Sequence, residues 1–174
     1  MSDTLITVVA IALAAVLMFV FPLMTMSDRT DDISQLTVKT ATTEFVDDVR
    51  TTGRVTLDKY GKFVENISAT GNTYDVDMEV KVLDENPGKK TSQAAQTKIG
   101  ENVYYSMYTS QILDSFNDQK KVLALKEGDI FSTSVKNTNT TLSQQLKNFF
   151  YSVTGNDTYT IATDHAGVVT TNGR

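Results

Sequence analysis

The chain has 174 residues, 40% of them hydrophobic, and its 16 Lys and Arg stand against 21 Asp and Glu for a net charge of −5. This length allows one domain, with or without an appended segment. The sequence contains no cysteine, which excludes disulfide scaffolds, thiolate zinc sites and cysteine nucleophiles. The acidic balance argues against a nucleic-acid partner, because a phosphate backbone is bound mainly by clustered Lys and Arg.

Residues 5–24 form an uninterrupted apolar stretch, LITVVAIALAAVLMFVFPLM. As a helix it would be about 30 Å long, which matches the hydrocarbon core of a bilayer. A cleaved secretory signal would instead carry basic residues first, a shorter apolar core and a small-residue cleavage motif. The sequence therefore predicts a retained transmembrane anchor at residues 1–27, with Pro22 kinking its last turn. The side chains expected to contact lipid or neighbouring helices include Leu5, Val9, Ala12, Ala15, Phe19 and Pro22.

The charges beside the apolar stretch give little information about its orientation. The nearest basic residue, Arg29, is surrounded by Asp28, Asp31 and Asp32, which are interpreted as solvated charges at the start of the following helix. The remainder of the chain is acidic, free of cysteine and rich in threonine, as in exported bacterial surface domains. We therefore predict a single-pass membrane protein with its N-terminus in the cytoplasm and its C-terminal domain outside the cell.

The segment after the anchor is predicted to continue as an amphipathic stalk helix over residues 28–55. Its apolar side chains recur at helical spacing, and neither Gly nor Pro interrupts it before Gly53. Two interpretations stay open: a stalk whose apolar stripe is covered by the domain or by a neighbouring copy, or the first helix of the domain itself. The residues of that predicted stripe are Ile33, Leu36, Thr40, Phe45 and Val49.

Residues 56–174 are predicted to form an extracytoplasmic α+β domain. Thr56 is a candidate N-cap for a helix over 57–67, and the strict alternation from Tyr74 to Val82 predicts a strand with one buried and one solvated face. Residues 89–98 are typical of an exposed loop. Helical spacing from Val103 to Phe116 predicts a third helix.

The C-terminal part continues the mixture of elements. Two short strands, 122–125 and 130–135, flank a hairpin-like connection at Gly128. A helix capped by Thr140 and Thr141 is predicted to end near Gly155 and to lead into short strands at Tyr159–Ile161 and Val168–Val169. The predicted fold class is α+β: a transmembrane helix continuing into a stalk helix, then a largely antiparallel sheet with helices on one face.

Candidate catalytic residues are scarce. His165 is the only histidine, and Asp164 beside it would point to the opposite face of a strand, so we expect an exposed turn residue. Asp75, Asp77 and Glu79 fit the solvated face of a strand better than a cation site, because a flat row lacks the curvature of a calcium loop. No nucleophile, phosphate-binding or dinucleotide motif occurs. We predict no enzymatic activity, no metal and no cofactor.

Three tyrosines are candidate partner contacts. Tyr104, Tyr105 and Tyr108 cannot all face inward, so at least one is expected to be exposed. A binding surface built on them would make the protein a membrane-tethered extracellular binding module. A second interpretation of the chain is an accessory subunit of a conjugation or secretion complex.

The layout of a short N-terminal apolar span, an amphipathic helix and an α+β domain resembles pilins and pseudopilins. With residues 44–80, EFVDDVRTTGRVTLDKYGKFVENISATGNTYDVDMEV, it is similar to the minor pseudopilins of tight-adherence (Tad) pilus loci in Gram-positive bacteria. The resemblance implies a membrane-held, non-enzymatic subunit that contacts lipid, other pilus-assembly subunits or further copies of itself. The span lacks the glycine and glutamate of pilin processing sites, which favours an accessory over a main filament subunit.

Overall fold

The computed structural model describes residues 2–84, 104–116, 121–151 and 161–173. It opens with a continuous helix made of α1 (Ser2–Ala15), a π-helical turn (Val16–Val20) and α2 (Phe21–Thr52). The apolar segment therefore continues into the next segment as one helix. Helix α2 ends at Gly53, whose φ of 64° is the left-handed conformation that glycine adopts without steric cost.

The remaining described elements confirm the α+β class. In chain order they are β1 (Arg54–Thr56), α3 (Leu57–Ser68), β2 (Tyr74–Leu83), β3 (Tyr104–Tyr108), α4 (Thr109–Ser115), β4 (Val122–Ala124), β5 (Ile130–Asn137), α5 (Leu142–Tyr151) and β6 (Ala162–Val168). A four-stranded antiparallel sheet has the order β3-β2-β5-β6, and β1 pairs with β4 in a separate antiparallel ribbon. Thr56 caps α3 as predicted, since its Oγ1 accepts a hydrogen bond from the Lys59 N–H at 3.2 Å.

The core lies between α2, α3 and one face of the four-stranded sheet. Phe45 of α2 stacks on Phe63 of α3 with ring centroids 4.6 Å apart, and it meets Phe131 of β5 edge-on at 5.6 Å. The predicted alternation of β2 is confirmed, because Met78 and Val80 are buried whereas Asp75, Asp77 and Lys81, on the other face, are exposed. The aromatic cluster thus joins both helices to the sheet.

The predicted stripe on α2 has the wrong phase. Phe45 and Val49 are buried, but Ile33, Leu36 and Thr40 are exposed. Small and hydroxyl side chains occupy the buried positions where α2 first contacts the domain. Their hydroxyl groups can be buried at little cost in free energy, because they form hydrogen bonds within their own helix. Thr42 Oγ1, for example, donates to the Val38 carbonyl at 2.7 Å. The buried face of α2 comprises Ser27, Ser34, Val38, Ala41, Thr42, Phe45, Val46 and Val49.

Two further predictions are wrong. Residues 104–108 form strand β3, and only Thr109–Ser115 is helical, because a short apolar run satisfies helical and strand periods alike until pairing with β2 decides between them. The turn at Gly128 has the expected positive φ of 95°, but it joins strands of different sheets instead of a hairpin. Buried Asp129 organises this turn, with its carboxylate accepting the N–H groups of Leu83 and Lys126.

The C-terminal segment closes the fold as a single strand, β6, with a tail after it. The tail passes against the end of α2, where the Gly173 N–H donates to Leu125 O, and the Leu125 N–H donates to Gly53 O, both at 2.8 Å. A Cβ on Gly53 would lie 2.2 Å from the carbonyl oxygen of Thr171, so this crossing requires glycine. The loop predicted at 89–98, the helix end near Gly155 and the strand at Tyr159 lie outside the described residues.

Candidate functional site

The N-terminal half of the long helix is an exposed apolar surface. The helix from Asp3 to Thr52 is long and apolar enough to cross a membrane, and none of its most apolar part is buried. The six side chains predicted to contact lipid or neighbouring helices are all exposed: Leu5, Val9, Ala12, Ala15, Phe19 and Pro22. Apolar side chains on every side of a helix are typical of a membrane span.

A π-helical turn interrupts the α-helical pattern of this segment. It covers Val16–Val20, and the N–H of Phe21 donates to the carbonyl of Val16, five residues back. Pro22 follows at once, in the first turn of α2. A proline ring clashes with the carbonyl four residues earlier, so a widened turn here gives the ring room while the helix continues.

An apolar face extends beyond the span along α2. Met26, Ile33 and Leu36 are each at least 64% exposed on the side of α2 away from the sheet. At 100° per residue, Leu36 lies about 180° around the helix from Phe45 in the core. Helix α2 therefore presents one face to its own domain and a second, partly apolar face outward.

Helix α5 is attached to α2 just beyond the span by a polar network that sequence reasoning missed. The Asp28 carboxylate accepts a hydrogen bond from Ser143 and pairs with Lys147, whose Nζ lies 2.6 Å from Oδ1. Thr141 Oγ1 donates to Asp31 Oδ2 at 2.6 Å. The bond from Lys147, followed by that from Ser143, lowers the pKa of Asp28 below its ordinary value of 3.8.

This network corrects the interpretation of Asp28 and Asp31 as solvated charges at a helix start, because they lie within a continuous helix and bind α5. The start of α5, in contrast, has a local signal in the sequence, the predicted threonine cap. Thr141 is confirmed as a cap, since its Oγ1 accepts from the Gln144 N–H at 3.2 Å and its N–H donates to Gln144 Oε1 at 2.8 Å. The contact partners are more than 100 residues apart in sequence, which leaves no local signal for the pairing.

The solvated face of the four-stranded sheet forms a shallow trough of about 730 Å³. Its floor is made of small side chains, Ser132 and Ser134 of β5, between the acidic side chains of β2 and β6. Glu79 accepts a hydrogen bond from Ser106 at 2.7 Å, while Asp77 and Asp164 are exposed. The row at Asp75, Asp77 and Glu79 is thus on the outer face, as the alternation predicted.

The three candidate tyrosines belong to edge strand β3 and are all exposed, by 39% for Tyr104, 56% for Tyr105 and 60% for Tyr108. Register divides them between two faces. Tyr104 and Tyr108 pair with Leu83 and Glu79, so they share the outer face, whereas Tyr105 lies on the opposite side. Tyr108 lines the trough, and Tyr105 lines a different depression beside β4.

His165 is not an exposed turn residue. It lies in β6 facing α2, with its Nε2 buried and 3.8 Å from Asp47 Oδ1. Neither Nε2 nor the buried Thr133 Oγ1 directly across the strands has a hydrogen-bond partner in the described part of the chain. Asp164 points to the other face, so the two neighbours do not form a catalytic pair.

Residues 2–84, 104–116, 121–151 and 161–173 contain no group of three His, Asp or Glu side chains arranged to hold a metal ion. Comparison of the chain with protein-family models finds no match. Comparisons with curated proteins and with solved structures also find no match.

Proposed function

We propose that the protein is a membrane-anchored, non-enzymatic subunit of a bacterial pilus or of a pilus-like secretion or assembly system, of the Tad pseudopilin type that its layout resembles. The main support is the unbroken helix. Its first half is apolar and exposed on all sides, and its second half carries core residues from Ser34 to Val49. Such a helix joins a membrane segment rigidly to an external domain.

The proposed orientation is single-pass, with the C-terminal domain extracytoplasmic. The apolar half would rest in lipid before assembly and pack against other apolar helices afterwards. Because the same helix forms part of the domain core, a movement of the span in the membrane would be transmitted directly to the sheet. This coupling suits a subunit that is moved as one body during assembly.

The outward face of α2 supports a helical partner. Met26, Ile33 and Leu36 continue the apolar surface of the span for about three turns beyond Met24, given 3.6 residues per turn. Large side chains of this kind, exposed in a row beside a span, are typical of interaction sites. The partner would be a helix of another assembly subunit or of a second copy.

Crosslinking through introduced cysteines tests this proposal, since the chain has none of its own. Ile33→Cys and Leu36→Cys should each give a specific crosslink to an assembly subunit in membranes of the producing bacterium. Lys39→Cys is the matched control for Ile33→Cys, since Lys39 is exposed on the same helix but lies about 120° around the helix axis from Ile33. Equal crosslinking at all three positions, or none at any, would contradict the assembly role.

The trough on the sheet favours a second candidate, a membrane-tethered binding module. Tyr108 and the carboxylates of Asp77 and Asp164 would form its recognition surface. Substitution of Tyr108 by Ala should then abolish ligand binding and leave the crosslinks of α2 intact. If the protein is an assembly subunit, Ala14→Lys in the span should instead abolish incorporation into the assembly.

A further inference from the structure

The burial of helix α2 follows a seven-residue pattern between positions 27 and 45. In heptad notation, with Ile33 at a and Leu36 at d, every buried residue of this stretch lies at b, c or f, and every exposed residue lies at a, d, e or g. Two parallel helices pair through a and d, with e and g at the borders of the contact. The a and d positions from 26 to 43 are called the seam: Met26, Arg29, Ile33, Leu36, Thr40 and Thr43.

The exposed threonines beside the seam already have partners for their hydroxyl groups. Thr30 and Thr37 each donate from Oγ1 to the carbonyl four residues earlier, at 3.1 and 2.9 Å. Thr42, which is buried in the core, makes the same kind of bond. A hydroxyl that is bonded within its own helix needs no further partner when another surface covers it. The uncovered side of α2 can therefore be buried as cheaply as its inner side.

Two opposite charges border the seam. Lys39 lies at g, and Glu44 lies at e of the next heptad; both are exposed, and neither forms an ion pair within the described residues. In a parallel pair of helices in register, a g residue contacts the e residue of the partner five positions later in sequence. Lys39 would thus meet Glu44 of a second copy, and the two-fold symmetry repeats this contact. Asp32, the other charged g residue, would face Thr37, so like charges do not meet at the borders.

We propose that the uncovered side of α2 pairs in parallel with the same side of a second copy, through Met26, Ile33 and Leu36 and with Lys39 bound to Glu44 of that copy. This inference rests on the proposed function, because spans held in one membrane with their domains on the same side are parallel and are concentrated there. Each domain would then lie on the side of its helix away from the seam.

The seam is too short and too polar to hold two copies together without the membrane. Two copies would bring their Arg29 side chains together at a d position, which disfavours tight pairing. Asp32, three residues later on the same helix, places an opposite charge near each guanidinium. Pairing would therefore need the concentration that a membrane supplies, and it would be absent from chains isolated in separate detergent micelles.

Disulfide formation in phosphatidylcholine liposomes tests the proposal with the full chain and no other protein. Ile33→Cys is the reporter, because two a positions face each other across a parallel pair. Ile33 is 67% exposed, so an unchanged thermal midpoint should verify an intact domain. Lys39→Glu, Glu44→Lys and their combination are built on this background. Lys62→Glu, on the exposed surface of α3, is the control with the same charge change as Lys39→Glu.

We expect Ile33→Cys to form covalent dimers on mild oxidation, and each single charge reversal to slow their formation about fivefold at low salt. The combined variant exchanges the two signs and should recover the original rate, while Lys62→Glu should leave the rate unchanged. Rates that do not depend on positions 39 and 44, or a combined variant that stays as slow as the single ones, would overturn the parallel pairing.

The same reporter separates this inference from the proposed function. If Ile33→Cys forms no covalent dimer in liposomes but crosslinks to a different protein in membranes of the producing bacterium, the second copy is overturned and the assembly role stands. The absence of a specific crosslink in both preparations would overturn both.

Discussion

The two halves of the long helix have the same backbone conformation but opposite surroundings. In α1 and the π turn, every described side chain is at least partly exposed, including Leu5, Val9 and Phe19. In α2, one face from Ser34 to Val49 is buried against the sheet and α3. The comparison shows that one continuous helix can carry an apolar half that no other described element covers and a second half that belongs to the core of the domain.

The difference depends on where apolar side chains are placed. The first half spreads them around the whole circumference, which only lipid or other apolar helices can satisfy. The second half confines them to two faces: one is covered by the domain, and the other carries Met26, Ile33 and Leu36. Under the proposed function, that second exposed face is the surface by which the subunit would contact a partner.

The largest expected effect comes from the buried half. Phe45→Ala removes the ring that stacks on Phe63 and meets Phe131, so the free energy of unfolding should fall by about 3–5 kcal/mol. Ile33→Ala, on the exposed face of the same helix, should change it by less than about 0.5 kcal/mol. Denaturant unfolding of the full chain in detergent, followed by far-UV circular dichroism, measures both. Similar losses would show that both faces of α2 are buried.

A lysine in the exposed half of the helix should impair insertion into the membrane and leave the stability of the domain unchanged. Ala14→Lys is expected to cost about 2.5–3.5 kcal/mol of membrane insertion at the centre of the span. Ala14→Leu is the control of similar helix propensity and should insert fully. The integrated fraction in a microsomal insertion assay is the measurement, and full insertion of the lysine variant would count against a span at residues 5–24.

The junction between helix and tail gives a smaller effect with a matched control. Gly53→Ala must adopt a left-handed conformation and would place its Cβ 2.2 Å from Thr171 O, so we expect a loss of about 2 kcal/mol or more. Gly61→Ala, within α3 and without a neighbouring atom within 4 Å, should instead stabilise the domain by roughly 0.5–1 kcal/mol. Thermal midpoints that move in the same direction would refute the crossing.

The Asp28 network should give the smallest effect, with a characteristic pH dependence. Asp28→Asn removes a half-exposed ion pair with Lys147, a loss of about 0.2–1 kcal/mol. Because folding lowers the pKa of Asp28 below 3.8, its contribution is complete above about pH 4 and disappears as the pH falls through the lowered value.

The thermal midpoints of wild type and Asp28→Asn should therefore differ by a constant amount from pH 7 to pH 5 and converge below pH 4. Asp58→Asn, which removes an exposed pair with Lys62, should give a smaller difference. A gap between wild type and Asp28→Asn that widens on acidification would contradict the assigned bonds.

Sequence reasoning succeeded where one element carries its own signal. The apolar stretch, the Thr56 cap and the alternation of β2 each depend on local chemistry. The structure confirms the cap and the strand, and it shows that the apolar stretch is a helix long enough to cross a membrane. The sequence predictions failed where contacts with residues distant in sequence determine the local structure. Strand β3 is a strand because β2 pairs with it, and His165 is half-buried because α2 lies over β6.

The phase of α2 shows a second reason for failure. Hydrophobicity selected Ile33 and Leu36, but the domain buries Ser34 and Thr42, whose hydroxyls bond within the helix. The binding of Asp28 to Ser143 and Lys147 had no local signal either. The candidate surfaces beyond the span could therefore be found only once the fold was known.

The most direct test of the central claim is alkaline carbonate extraction of membranes from the producing bacterium, with peptide mapping of residues 5–24. The account predicts that the chain stays in the membrane pellet and that the apolar stretch is still attached to the domain. Release of the chain into the carbonate supernatant, or a membrane-free domain that begins after Ser27, would contradict it.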